Sequence, residues 1–97
     1  MKKQNQGDKV VFRIYPDGEV IALFPQISAS LGGGLCESYM HVGQHGGADP
    51  ILVVSRTKLA TPKEYANLYA ELEQIGYNLQ PAKRCTYQDF QIRKTQY

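Results

Sequence analysis

Two short runs of β-forming residues, set apart by Pro16, Asp17 and Gly18, constrain this chain more than any other feature of its sequence. In residues 9–15 (KVVFRIY), Val10, Phe12 and Ile14 alternate with Val11, Arg13 and Tyr15. That is the two-residue period of a strand with two distinct faces. Residues 19–24 (EVIALF) read as the returning strand. Pro16 presets the first corner of a type I turn, and Gly18 takes the left-handed position that closes a three-residue hairpin loop. A lone hairpin is marginal in water, so another element must cover it.

Residues 61–76 supply that cover. Thr61-Pro62-Lys63-Glu64 is a capping box with proline at the first helical position. The Thr61 hydroxyl can accept from the Glu64 amide, and the Glu64 carboxylate can accept from the Thr61 amide. Tyr65, Leu68, Tyr69, Leu72 and Ile75 then recur on one face at helical spacing. Gly76 ends the helix, with Tyr77 placed to pack back on Leu72.

The remaining segments fill in around these two elements. Pro25 is expected to end the second strand, because proline cannot donate to the ladder. Residues 26–35 read as a loop around Gly32, Gly33 and Gly34. Residues 36–42 (CESYMHV) read as a third strand, with Cys36, Ser38, Met40 and Val42 on one face and Glu37, Tyr39 and His41 on the other. A second glycine-rich loop follows at 43–50. Residues 51–55 (ILVVS) then read as a fourth strand, apolar on both faces and therefore central. Residues 77–83 suit an edge strand that tolerates Pro81, and residues 84–97 read as a loose tail.

The resulting order is β-β-β-β-α-β, an α+β fold with a small antiparallel sheet and one amphipathic helix packed on one face. The expected division is a flexible N-terminus (1–8), a single domain (9–84) and a basic C-terminal tail (85–97). The second sheet face, lined by Tyr39 and His41, would be partly open and a natural place for a partner.

Ninety-seven residues suffice for one domain, and no stretch reaches the ~18 apolar residues of a membrane span. Residues 1–8 are polar and no apolar segment follows the two lysines, so neither a secretory signal nor a membrane partner is expected, and the expected compartment is the cytoplasm. Cys36 and Cys85 do not form a disulfide framework. A single bridge between them stays open, and a reducing cytoplasm favours two free thiols. The net charge of +2 is too small to name a nucleic-acid partner.

Both histidines, Cys36 and Asp49 fall within residues 36–49, the densest set of ligating groups in the chain. His41, His45 and Asp49 form the better metal trio, with zinc as the metal, Cys36 and Cys85 being weaker candidates. Cys36 and His41 are five residues apart, so a regular strand sends them to opposite faces. A metal-dependent enzyme centred on the trio is one reading. The plainer alternative is a half-buried and a solvated histidine. A Cys36 nucleophile is disfavoured because its face, shared with Met40 and Val42, looks like core. Neither glycine cluster ends in the Lys-Ser/Thr of a phosphate loop.

Tyr39, His41, Gln44, His45 and Asp49 are the expected binding surface for a protein or nucleoprotein complex. A second surface comes from Lys83, Arg84, Tyr87, Arg93 and Lys94, where cations interleave with aromatics as in single-strand binders.

The run Ser38-Tyr39-Met40-His41-Val42-Gly43-Gln44-His45-Gly46, with Thr61-Pro62-Lys63-Glu64-Tyr65 and Ile75-Gly76-Tyr77, resembles a group of short bacterial and phage proteins without an assigned activity, over about residues 10–84. The resemblance carries no catalytic residues across. It implies a phage or mobile-element setting, in which small proteins act as stoichiometric binders of host machinery, anti-CRISPR inhibitors among them. The favoured expectation is a non-enzymatic interaction protein that modulates or inhibits a larger host partner, ahead of a nucleic-acid modulator and then an enzyme.

Overall fold

The computed structural model describes residues 7–41 and 44–96. Most of the segment expected to be flexible (1–6), the end of the expected third strand (Val42), Gly43 and Tyr97 lie outside them. The hairpin forms as its alternation predicts. Strands β1 (Asp8–Ile14) and β2 (Val20–Ser28) pair antiparallel, with Ile14 opposite Val20 and Phe12 opposite Ala22. The Gly18 amide donates to the Tyr15 carbonyl at 2.9 Å, and Gly18 sits at φ 93°.

Strand β3 (Cys36–Met40) pairs with β2, and β4 (Gln44–Ala48) pairs with β3. A short β5 (Lys58–Leu59) and β6 (Leu79–Ala82) share the far side of β1. The sheet order is β4-β3-β2-β1-β5, with β6 also on β1. Three helices complete the described chain: α1 (Pro50–Arg56), α2 (Pro62–Ile75) and α3 (Tyr87–Lys94). The fold is α+β, and the sheet is mostly antiparallel. It is mixed because β6 runs parallel to β1.

The α2 capping box is formed in full, with Glu64 N–H donating to Thr61 Oγ1 (3.3 Å) and Thr61 N–H to Glu64 Oε1 (2.9 Å). Leu68 and Leu72 bury against Val10, Phe12, Ala22, Phe24 and Tyr39. The Tyr65 ring stacks on Phe12 at 4.1 Å, and Tyr77 on Phe24 at 4.8 Å. Ile75, expected on this face, is exposed in the last helical position.

Four expectations need correction. Residues 51–55 are not a central strand but most of α1. Asp49 caps that helix, its carboxylate accepting from the amides of Ile51 (3.0 Å) and Leu52 (3.4 Å), and Pro50 occupies its first turn. A cap followed by proline overrides the β-propensity of Ile-Leu-Val-Val. Arg13 secures the other end, donating from Nη2 to the carbonyls of Val54 and Thr57. Second, residues 44–48 of the supposed loop form β4. Third, β2 does not stop at Pro25. It continues to Ser28 through an irregularity between Phe24 and Ser28, which leaves proline without a ladder bond to make.

Fourth, residues 84–97 are not a loose tail. Thr86 and Asp89 form a second capping box for α3, and both Asp89 and Arg93 are buried. The Gln96 side chain then fastens the end of the chain to β2, accepting from the Ser28 amide and donating to the Gln26 carbonyl, each at 2.7 Å. The face opposite α2 is therefore not open, and it is the face of Cys36; Tyr39, expected to line it, lies on the α2 side instead. Val11, Ile21, Leu23 and Cys36 pack there with Val53 of α1, beside Met40 and Cys85. No helix among the described residues is long and apolar enough to cross a membrane.

Candidate binding groove

The structure draws Asp49 away from the two histidines with which it was expected to form a metal site. Tyr39 lies under α2, only 1% exposed, and its hydroxyl donates to Glu71 Oε2. The other Glu71 oxygen lies 2.7 Å from Nδ1 of the exposed His41, so the carboxylate acceptor places a proton on Nδ1. His45 sits edge-on to the Tyr39 ring with centroids 4.5 Å apart, its Nε2 3.4 Å from the Tyr77 hydroxyl. Gln44, exposed at the start of β4, lies opposite Met40.

Asp49 does not join this group. Four residues of extended chain from His45 amount to about 13 Å, and the Asp49 carboxylate is occupied at the start of α1. Among the described residues no three histidine, cysteine or acidic side chains converge as metal ligands. The His41–Glu71–Tyr39 set ties the β3–β4 end of the sheet to α2. Glu71 was missed as a member of it, as was Tyr77 as the neighbour of His45. Glu71 had one usable signal: it lies three residues beyond Leu68 and next to Leu72, at the margin of the apolar stripe.

A different constellation stands on the other face. Between α1 and α3 lies a groove of about 690 Å³, lined chiefly by Ile51, Val54, Cys85, Tyr87, Phe90 and Arg93. Ile51 is 82% exposed on one lip and Tyr87 71% exposed on the other. Residues of α1 face it because the helix buries only Pro50 and Val53 and turns its other apolar side chains outward. Tyr87 and Phe90 reach it because the Thr86 cap starts α3 beside Cys85.

Two buried charges hold α3 in place. Burial by itself would raise the Asp89 carboxyl, but hydrogen bonds from Lys9 Nζ (2.7 Å), Gln26 Nε2 (2.9 Å) and the Thr86 amide (2.8 Å) outweigh it and hold the group below its usual range. Arg93 is 5% exposed, and donates from Nε to the Gly33 carbonyl (2.8 Å) and from Nη1 to the Pro25 carbonyl (2.7 Å). The residues expected to form a basic nucleic-acid surface are thereby divided. Lys83, Arg84, Tyr87 and Lys94 are exposed, while Arg93 is turned into the protein.

Both cysteines are free. Burial, the largest influence, pushes the Cys36 thiol up to about 12, and burial followed by the Asp89 charge raises Cys85. A thiol kept protonated is a poor nucleophile. The groove thus offers apolar walls and a guanidinium, chemistry suited to holding a ligand. Fold and groove define a three-layer α+β domain with a helix pair flanking an apolar cleft. Comparison with protein-family models, curated proteins and solved structures finds no match to this chain.

Proposed function

We propose that this protein is a non-enzymatic binding module of the cytoplasm that captures a larger protein by taking an apolar segment of it between α1 and α3. The observation that carries the reading is the exposure of Ile51 and Tyr87 on facing lips of one groove. Fully burying one such side chain contributes about 1.5–3 kcal/mol, and aromatic anchors in pockets dominate interface energies. The resemblance to short bacterial and phage proteins frames the partner as host machinery that a stoichiometric binder modulates or blocks. This surface replaces the histidine-bearing rim as the favoured docking site, because Tyr39 is buried and Asp49 is engaged as a helix cap.

Site-specific photo-crosslinking tests the reading. A photoreactive residue at position 51 should trap one defined host protein, and one at exposed position 63 on α2 should not. Unlabelled wild-type protein should compete for the product, and Ile51→Arg should not. Identical products from both positions, or competition by Ile51→Arg equal to wild type, would remove the groove as the docking surface.

A further inference from the structure

Arg93 contributes more to the groove than an anchor for α3. Its Nε and Nη1 are taken by the carbonyls of Gly33 and Pro25, whereas Nη2 makes no hydrogen bond among the described residues. No fully buried side-chain nitrogen or oxygen there lacks a partner, so Nη2 keeps access to solvent, and Arg93 lines the groove. Among the described residues Lys9–Asp89 is the one ion pair made by a lysine or arginine, which leaves Arg93 without a carboxylate.

An arginine that is nine-tenths buried and lacks a counter-charge is an acceptor-seeking group beside an apolar wall, and its Nη2 can give a charge-assisted hydrogen bond to a carboxylate oxygen. The surroundings add to the positive field. Lys94 Nζ lies 5.8 Å from the centre of the Phe90 ring, and the Arg93 guanidinium carbon 5.4 Å from it. Arg84, exposed, precedes Cys85 in the groove wall. The one acid in that wall, Asp49, already accepts from the Ile51 and Leu52 amides. Asp89, one turn before Arg93 on α3, is engaged by Lys9, Gln26 and Thr86.

We propose that the segment held between α1 and α3 is an acidic, amphipathic stretch of a partner protein, with an Asp or Glu carboxylate on Arg93 and aliphatic or aromatic side chains against Ile51 and Tyr87. This rests on the binding reading above and specifies the chemistry of the partner. A nucleic acid is a poorer fit, because its affinity comes from many phosphates meeting cations along an open surface, whereas here the inward cation lies beside apolar walls.

Selection from a displayed random-peptide library on the full chain, with counter-selection on Ile51→Arg, tests it. Arg93 itself is a poor variant because its loss releases Gly33 and Pro25, so charge reversal at exposed Lys94 and Arg84 reads the electrostatics without disturbing the core. Enriched peptides should combine acidic with aliphatic or aromatic residues and should shift the Arg93 side-chain Nε–H resonance in the nuclear magnetic resonance spectrum. Their Glu→Gln analogues should bind about tenfold more weakly, a difference of about 1.4 kcal/mol. That gap should shrink in Lys94→Glu/Arg84→Glu. Peptides that require Ile51 but bind equally after Glu→Gln would overturn the acidic partner while leaving the groove as a docking site. An absence of Ile51-dependent peptides would overturn both. Displacement of the selected peptides by a single-stranded oligonucleotide of higher affinity would overturn the proposal in favour of nucleic acid.

Discussion

Asp89 and Arg93 occupy adjacent turns of α3, and each serves where an apolar residue ordinarily would. Asp89 receives three hydrogen bonds, one of them from a lysine ammonium, and these outweigh the cost of burial. Its folded carboxyl ionises at lower pH than the unfolded chain's, about 3.9. The stability it contributes is therefore fully present above that value and is lost as pH falls through the lower folded value. Asp89→Asn should cost about 1.5–3 kcal/mol at neutral pH, the range for a hydrogen bond to a charged group. The difference from wild type should close in strong acid. Urea unfolding of both proteins at pH 7 and at about pH 2.5 checks this; a difference that stays constant with pH would remove the ionised carboxylate from the account. Neither residue was legible as core. A sequence pattern marks helices by apolar periodicity, and α3 buries a carboxylate and a guanidinium instead. Cys36 was legible, because strand alternation puts it with Met40 on a buried face, where both are found.

At the scale of elements, α2 and the β1–β2 hairpin carry complete local instructions in cap, turn and period, and they form where those instructions lie. The segments misread, α1, β4 and α3, carry conflicting or incomplete ones. The β-branched run of α1 reads as a strand, whereas the Asp49 cap and Pro50 set it as a helix. Thr86-x-x-Asp89 uses the same capping grammar as Thr61-x-x-Glu64, yet no apolar stripe follows to draw notice to it. The seat of α3 depends on a close approach at Gly33. This residue sits at φ 77°, and a Cβ there would lie 2.8 Å from both the Cα and the N of Lys94. Gly33→Ala should thus cost more than the roughly 1–2 kcal/mol of a left-handed non-glycine residue, because backbone must also move. Thermal unfolding should show the loss. An alanine variant as stable as wild type would mean that α3 is not held against the 3₁₀ turn, Leu31–Gly33, as described.

For the whole molecule, the α+β class and the helix-covered face were legible because both depend on periodic burial near in sequence. The second face was not. It is closed by contacts between residues 60 to 80 positions apart, such as Arg93 with Gly33 and Lys9 with Asp89. Such pairing has no local signature. Closing that face turns an apparent tail into a wall, moves the candidate site from a histidine-bearing rim to an apolar cleft, and turns Arg93 inward. Amide hydrogen exchange of the free protein, resolved by residue, measures this most directly. A docked α3 predicts that the amides of Phe90 to Lys94 exchange with protection approaching that of the central strands. Exchange there at the rate of an unstructured peptide, with β1 and β2 still protected, would contradict the docking of α3 and with it the groove.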